Sequence, residues 1–434
     1  MNFASLNWQQ RAFVIPALLL AGLQAASFVA LALITALPLP VYDLLDMLLA
    51  YDAQGLSLAW LLPLHNSHAI PLPRLLMAAD IWAGGGHALT FTITALLARI
   101  ISFALLALAV LRHAAITPAW RLLTIAALAL LLFRGFLLET VVIPNGYNYD
   151  LMLVFAVAGM MAVTARPPPD RVDAQPWLAA VAAMAASLCL ASGVLLLPLF
   201  AAMTWLRHRR IAVLLPFLLA GLAVLAVYVA GYHQDDAQPW QPSPWALLDQ
   251  LLHIAGSPWI GHRKIVGYTA AALLLSATLA GIGWSLLRLA RLDSLQQLAL
   301  MLLLYGLGSL LAVAVSRASL GVETGIAGRY GLFTACLYAG LAMLLLRLPE
   351  RWQPKLQSAA MACVIAGGLL LIREQALMAQ NYRQLHTEAA ADIAALRAGQ
   401  RDVSLLRHIH ADPKAAWPFF DLLQRRRLYG FGTE

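Results

Sequence analysis

The run AFVIPALLLAGLQAASFVALALITAL, residues 12–37, carries no charged side chain. It is longer than a crossing needs, because a hydrocarbon core of roughly 30 Å is spanned by about 20 helical residues. It is also roughly twice the apolar length of a signal peptide, and so reads as a retained first span rather than a cleaved leader. Similar runs follow near 87–111, 120–142, 148–165, 177–191, 193–206, 211–231, 266–288, 298–315, 331–347 and 356–373, making about eleven spans. Backbone groups in lipid must be satisfied internally, and these runs lack the alternation of barrel strands. The expected fold class is therefore all-α, a polytopic integral membrane protein. The stretch between 177 and 206 makes two spans if both helices are short and Ser192-Gly193 turns between them, or else one long tilted helix.

Composition agrees: 62% of the 434 residues are hydrophobic and 12% charged, against about 25% charged in soluble domains. The net charge of +8 is spread in short pairs between apolar runs rather than gathered on one face, so it points to topology and not to nucleic acid. Cys189, Cys336 and Cys363 fall inside apolar stretches without metal or redox spacing, and read as small buried hydrophobes. One set of connections holds Arg11, Arg112, Arg121, Arg166, Arg171, Arg207, Arg209, Arg210, Arg288, Arg291, Arg347, Arg351 and Lys355; the other holds only Arg74, Arg263, Lys264, Arg317 and Arg329. The positive-inside rule then puts the amino terminus in the cytoplasm and the carboxyl tail outside, in a cytoplasmic, or inner, membrane. The expected organisation is a transmembrane domain over 1–373 and an extracytoplasmic helical tail over 374–434.

Polar residues gather in the outer connections. After Pro38 and Pro40 end the first span, Asp43 to Asp52 has Leu44, Leu45, Leu48 and Leu49 at helical spacing, with Asp43 and Asp46 on the other side. This predicts an interfacial amphipathic helix whose carboxylates could take a proton from a substrate hydroxyl, or could simply be solvated. Further along come His65-Asn66-Ser67-His68, Arg74 and Asp80. His65 and His68 could share a divalent cation on a helix, whereas the nearby prolines favour a loop ordered by hydrogen bonds. Ser316 to Tyr330 offers Arg317 and Arg329 with three glycines, a composition suited to phosphate and equally to a flexible connector. The loop over 233–264, with Asp235, Asp236, Trp240, Trp245 and Trp259, suits a headgroup-level lid or a simple anchor. Arg99, Arg134 and Glu139 lie in or near spans, where an ionisable group is costly unless it is paired or lines a cavity.

The His65-Asn66-Ser67-His68 stretch with Arg74 and Asp80, the Ser192-Gly193 turn, Gly328-Arg329-Tyr330 opening a late span, and a tail ending in Leu422 to Phe431 together resemble the GT-C superfamily of membrane glycosyltransferases. That resemblance implies a sugar donor carried on a polyprenyl phosphate, an envelope glycan or lipid acceptor, and an acidic base in the first outer loop, Asp43 or Asp46. It also implies that Arg317 and Arg329 hold the phosphate, with His65, His68, Arg74, Asp80 and Tyr330 as further substrate-binding residues and membrane lipid and polysaccharide-assembly proteins as partners. The chain departs from the relatives at Ser67, where they carry an acid, and at Ala69, where they carry an arginine. Two other readings stand beside it: a transporter or flippase with Arg99, Arg134 and Glu139 along its path, and a non-catalytic partner in polysaccharide assembly.

Overall fold

The computed structural model describes residues 6–113, 116–144, 146–165, 174–232, 243–260, 264–319, 321, 327–346, 353–407 and 416–431. Arg166 to Arg171, Asp235, Asp236, Trp240, Arg263, Glu323, Gly325, Arg347 and Arg351, on which the sequence reading drew, lie outside them. The helices are α1 (Trp8–Thr35), α2 (Asp43–Gln54), α3 (Leu58–Leu61), α4 (Pro71–Gly84), α5 (Leu89–Arg112), α6 (Pro118–Leu132), α7 (Glu139–Val142), α8 (Tyr147–Thr164), α9 (Gln175–Ser187), α10 (Leu196–His208), α11 (Leu215–Gly231), α12 (Pro244–Ile260), α13 (Lys264–Leu287), α14 (Ser294–Arg317), α15 (Gly331–Leu345), α16 (Gln353–Arg397) and α17 (Trp417–Arg426). There is no named strand among the described residues.

Eight of these helices are long and apolar enough to cross a membrane, and a ninth span results if α6 and the segment Gly135–Val142 are counted together across their 52° bend. The chain is a multi-pass membrane protein. The two remaining members of the expected eleven are α9 and α10, of 13 residues each; at 1.5 Å per residue each covers only about 20 Å. The turn between them is tight. A Cβ on Gly193 would stand 2.3 Å from the carbonyl of Ala186, so the chain folds back on α9 only because this residue has none. A helix that the sequence reading left as loop, α12, packs on α13.

Burial separates centre from rim: 61% of the apolar window of α14 and 67% of that of α15 are buried, against 22% for α11. The outward residues of α11, Leu218, Leu222, Leu225 and Val229, are those a lipid-facing surface needs. α16 extends 45 residues without a break, about 68 Å of helix. It runs straight through the expected boundary at 373/374, and Gln375 is buried in the bundle, where its amide donates to Ser27 Oγ at 2.6 Å and to Gln24 O at 3.2 Å. Its far end leads to α17, which packs on α2. There Arg425 Nη2 and Arg426 Nε meet the two oxygens of Asp52 at 3.0 and 2.6 Å.

The break after α6 frees backbone carbonyls inside the bundle. Arg99, fully buried on α5, answers it: Nη1 donates to Leu132 O and Leu137 O, each at 3.3 Å, while Nε and Nη2 make a bidentate pair with Asp150 at 2.8 and 2.9 Å. Thr140 Oγ1 donates to Asp150 Oδ2 at 2.9 Å and accepts from Arg99 Nη2 at 2.5 Å. Gln24 Nε2 closes Phe133 O at 3.1 Å. On the other side of the break Arg134 pairs with Glu374 and lies 5.3 Å from the centre of the Trp259 ring. Removing one member of a buried pair strands the other, which costs roughly 3–5 kcal/mol, whereas an exposed pair contributes under about 1 kcal/mol. Asp150→Ala should therefore lower the unfolding free energy of the solubilised protein by about 3–5 kcal/mol. Asp421→Ala, which loses only an exposed pair with Arg401, should change it little. Denaturant titration compares the two, and equal losses would contradict the role given to Asp150.

Candidate functional site

Connections far apart in sequence meet at one end of the bundle. Tyr42 and Asp43 open α2, His65 to Ile70 follow α3, Glu139 to Tyr149 link α7 with α8, Leu190 sits at the α9–α10 turn, and Arg317 and Arg329 flank the α14–α15 connection. Together they enclose a cavity of about 430 Å³. A second cavity of about 640 Å³ shares Asn66, His68, Tyr149, Leu190 and Arg317 with it and continues between Val194, Leu195, Ala312, Val313 and Phe333, which are apolar. Away from this site, His113 Nε2 lies 3.3 Å from Asp293 Oδ1 and Arg207 Nη1 donates to Val163 O at 2.6 Å.

α2 forms as the amphipathic pattern predicts, burying Leu44, Leu45 and Leu48. Of its two candidate carboxylates only Asp43 lines the cavity; Asp46, three residues on, is exposed and lines neither cavity. His65-Asn66-Ser67-His68 is not helical. His65 N donates to His68 O and His68 N to His65 O, both at 2.9 Å, and Asn66 and Ser67 sit at φ 47° and 63°, as in the tight turns that join antiparallel strands. Two adjacent non-glycine residues in the left-handed region carry strain, which side-chain contacts offset. Asn66 Nδ2 donates to Asp43 Oδ2 at 3.3 Å and lies 3.1 Å from His65 Nε2, which is itself 3.2 Å from Asp43 Oδ2.

This turn removes the helical register on which a cation shared by His65 and His68 depended. Among the described residues no group of three or more His, Cys, Asp or Glu could hold a metal ion. The cations of the cavity are instead guanidinium groups. Arg317 ends α14, where the helix dipole favours positive charge. Arg329 Nη1 lies 3.7 Å from Glu139 Oε1, and its guanidinium carbon 5.4 Å from the centre of the Tyr330 ring. Glu139 Oε2 accepts from Gly328 N at 2.5 Å; a Cβ there would come within 2.3 Å of Phe136 O, so the glycine is needed for close approach to the protein's own backbone.

Arg74 and Asp80 line neither cavity and support the wall from behind. Arg74 Nη1 donates to Leu61 O at 3.0 Å and Pro63 O at 2.5 Å, fixing the chain just before His65, and burial lowers its pKa to about 10. Asp80 accepts from His87 N at 2.9 Å, Thr90 Oγ1 at 2.6 Å and Tyr429 OH at 3.2 Å, with burial raising its pKa and these bonds opposing the rise. Tyr330 lines the second cavity, its ring edge-on to Tyr149. Tyr42, Asn66, Asn148 and Tyr149 went unnoticed as site residues in the sequence. The signal available for two of them was Tyr147-Asn148-Tyr149-Asp150, four polar residues opening a span. Comparison with protein-family models, curated proteins and solved structures gives no match.

The imidazole of His68 is enclosed beside other charges of the site. Burial first, then the charges of Arg317 and His65, lower its pKa from 6.5 to about 4. The folded state thus holds the neutral ring. Its contribution to stability is complete above the unfolded value near 6.5 and is lost as pH falls through about 4. Imidazole ¹⁵N spectra of the purified protein should show a histidine resonance that is still neutral at pH 5.5 and is absent in His68→Gln. A midpoint near 6.5 for that resonance would contradict the burial described.

Proposed function

We propose that the protein is a glycosyltransferase that moves a sugar from a polyprenyl-phosphate-linked donor to an envelope glycan or lipid acceptor at the outer face of the cytoplasmic membrane. The observation that carries this reading is that Asp43 shares a single cavity with two guanidinium groups, Arg317 and Arg329, while the cavity's second carboxylate, Glu139, lies beside Arg329 and accepts from Gly328 N. The acceptor hydroxyl oxygen forms the new bond to the anomeric carbon, and Asp43 takes its proton. The bond from that carbon to the phosphate oxygen breaks, and the leaving polyprenyl phosphate keeps the electron pair, held by Arg317 and Arg329. His65 and Asn66, both within hydrogen-bond reach of Asp43, orient the carboxylate. The apolar continuation past Val194, Leu195 and Phe333 gives an isoprenoid chain a place beside the phosphate.

Ala69, where the GT-C relatives carry an arginine, is fully buried. In this chain the cavity's cationic charge comes instead from the α14–α15 connection. Of the three intramembrane residues named for a transporter path, Arg99 and Arg134 are engaged by Asp150, Glu374 and backbone carbonyls and line neither cavity, and Glu139 lines the first.

The test is transfer of label from radiolabelled polyprenyl-phosphate sugars by the purified protein in lipid. Asp43→Asn should lose at least about 100-fold in rate, in the range of a missing general base. Asp46→Asn should retain activity, and Arg329→Ala should raise the donor KM. Undiminished transfer by Asp43→Asn would remove the assigned base; no transfer from any donor by the parent protein would favour a non-catalytic assembly partner.

A further inference from the structure

The charged groups of the cavity account for a proton acceptor and an anion site, but two uncharged groups on its wall are unused. Asn148, on the first turn of α8, is 7% exposed, and its Oδ1 is buried with no hydrogen-bond partner among the described residues. His68 Nδ1, on the strained turn, is likewise buried without a partner there. Both side chains face the cavity of about 430 Å³, and an unpaired buried polar atom is costly unless a ligand or water completes it.

Both groups are also held in place from behind. Tyr147 OH donates to Pro73 O at 2.8 Å, and Asp150 makes the bidentate pair with Arg99, so Asn148 sits between two anchored neighbours. His68 is fixed through its backbone by the two hydrogen bonds of its turn. Groups held before binding lose little freedom when a ligand arrives, which is the arrangement that gives selectivity rather than bulk affinity. An amide and a neutral imidazole suit a hydroxyl group, which both donates and accepts, and neither brings the positive charge that favours a second phosphate.

We propose that Asn148 and His68 form a subsite that reads hydroxyl groups on the uncharged glycosyl part of the ligand whose phosphate lies at Arg317 and Arg329, making Asn148 a specificity determinant of the reaction. This rests on the glycosyltransferase reading above. The subsite separates a sugar-bearing carrier from the spent one: the hydroxyls leave with the transferred sugar, and the carrier phosphate stays on the arginines. Product is thereby held more weakly than donor.

Binding to the full-length protein in nanodiscs tests this with four probes: undecaprenyl phosphate, and the same carrier bearing glucose, galactose or mannose. The parent protein should bind at least one sugar-bearing carrier about ten-fold or more tighter than the bare carrier. Asn148→Ala should lose about ten-fold more affinity for that ligand than for the bare carrier, while Arg329→Ala weakens both alike. Equal weakening of both carriers by Asn148→Ala would make its role merely structural and overturn the subsite, as would a margin that survives the substitution or one that the parent protein never shows. Failure of the parent protein to bind any of the four would instead sink the glycosyltransferase reading itself.

Discussion

Helices that cross a lipid core must satisfy within the protein every backbone group that a break releases, and here much of that requirement falls on Arg99. Its guanidinium has donors enough for two carbonyls around the α6 break as well as for both oxygens of Asp150. A lysine could not serve the same four acceptors. The break lets the chain turn at Arg134 and run through Gly135–Val142 at 52° to α6, which places Glu139 at the wall of the cavity rather than deep in the bundle. The cavity depends on this pair in a second way, because Asp150 follows Asn148 and Tyr149 on the same helical turn. Interior charge thus serves geometry, and the polar groups that remain for chemistry lie at the bundle's end.

The carboxyl tail belongs to the same mechanical system. α16 carries Glu374 and Gln375 into the bundle and then continues to bring α17 against α2. Arg425 and Arg426 bind Asp52 near the end of the helix that begins with Asp43, and Tyr429 reaches Asp80 where α4 gives way to α5. Exposed ion pairs of this kind contribute little stability individually. What they do is fix the orientation of α2, and with it the carboxylate that its first turn presents to the cavity.

The helical membrane architecture was legible in the sequence because span length and apolarity are local properties, and the leucines of α2 announced its buried face. Of the eleven expected spans, eight or nine are helices long and apolar enough to cross, and α9 and α10 are the two that are shorter, since a stretch of apolar composition does not reveal how much of it is consumed by a turn. The pairing of Arg99 with Asp150, and of Arg134 with Glu374, could not be read, because each joins residues on helices distant in sequence; the charges themselves were visible as costly and in need of an explanation. Asp43 and Asp46 were equivalent in the sequence pattern, and what separates them is that the His65–His68 turn folds against Asp43 while Asp46 stays exposed. Asn148 carries no motif beyond the polar opening of α8, and within that run burial of an oxygen without a partner singles it out.

The central claim is that a phosphate-linked lipid occupies the joined cavities between the α9–α10 turn, the His65–His68 turn and the α14–α15 connection. Photocrosslinking in lipid with a photoactivatable undecaprenyl phosphate, followed by peptide mapping, measures this directly. The account predicts label concentrated in peptides containing His68, Val194 or Arg317, and its loss when unlabelled undecaprenyl phosphate is added in excess. Label spread evenly over lipid-facing helices such as α11, with no effect of the competitor, would contradict it.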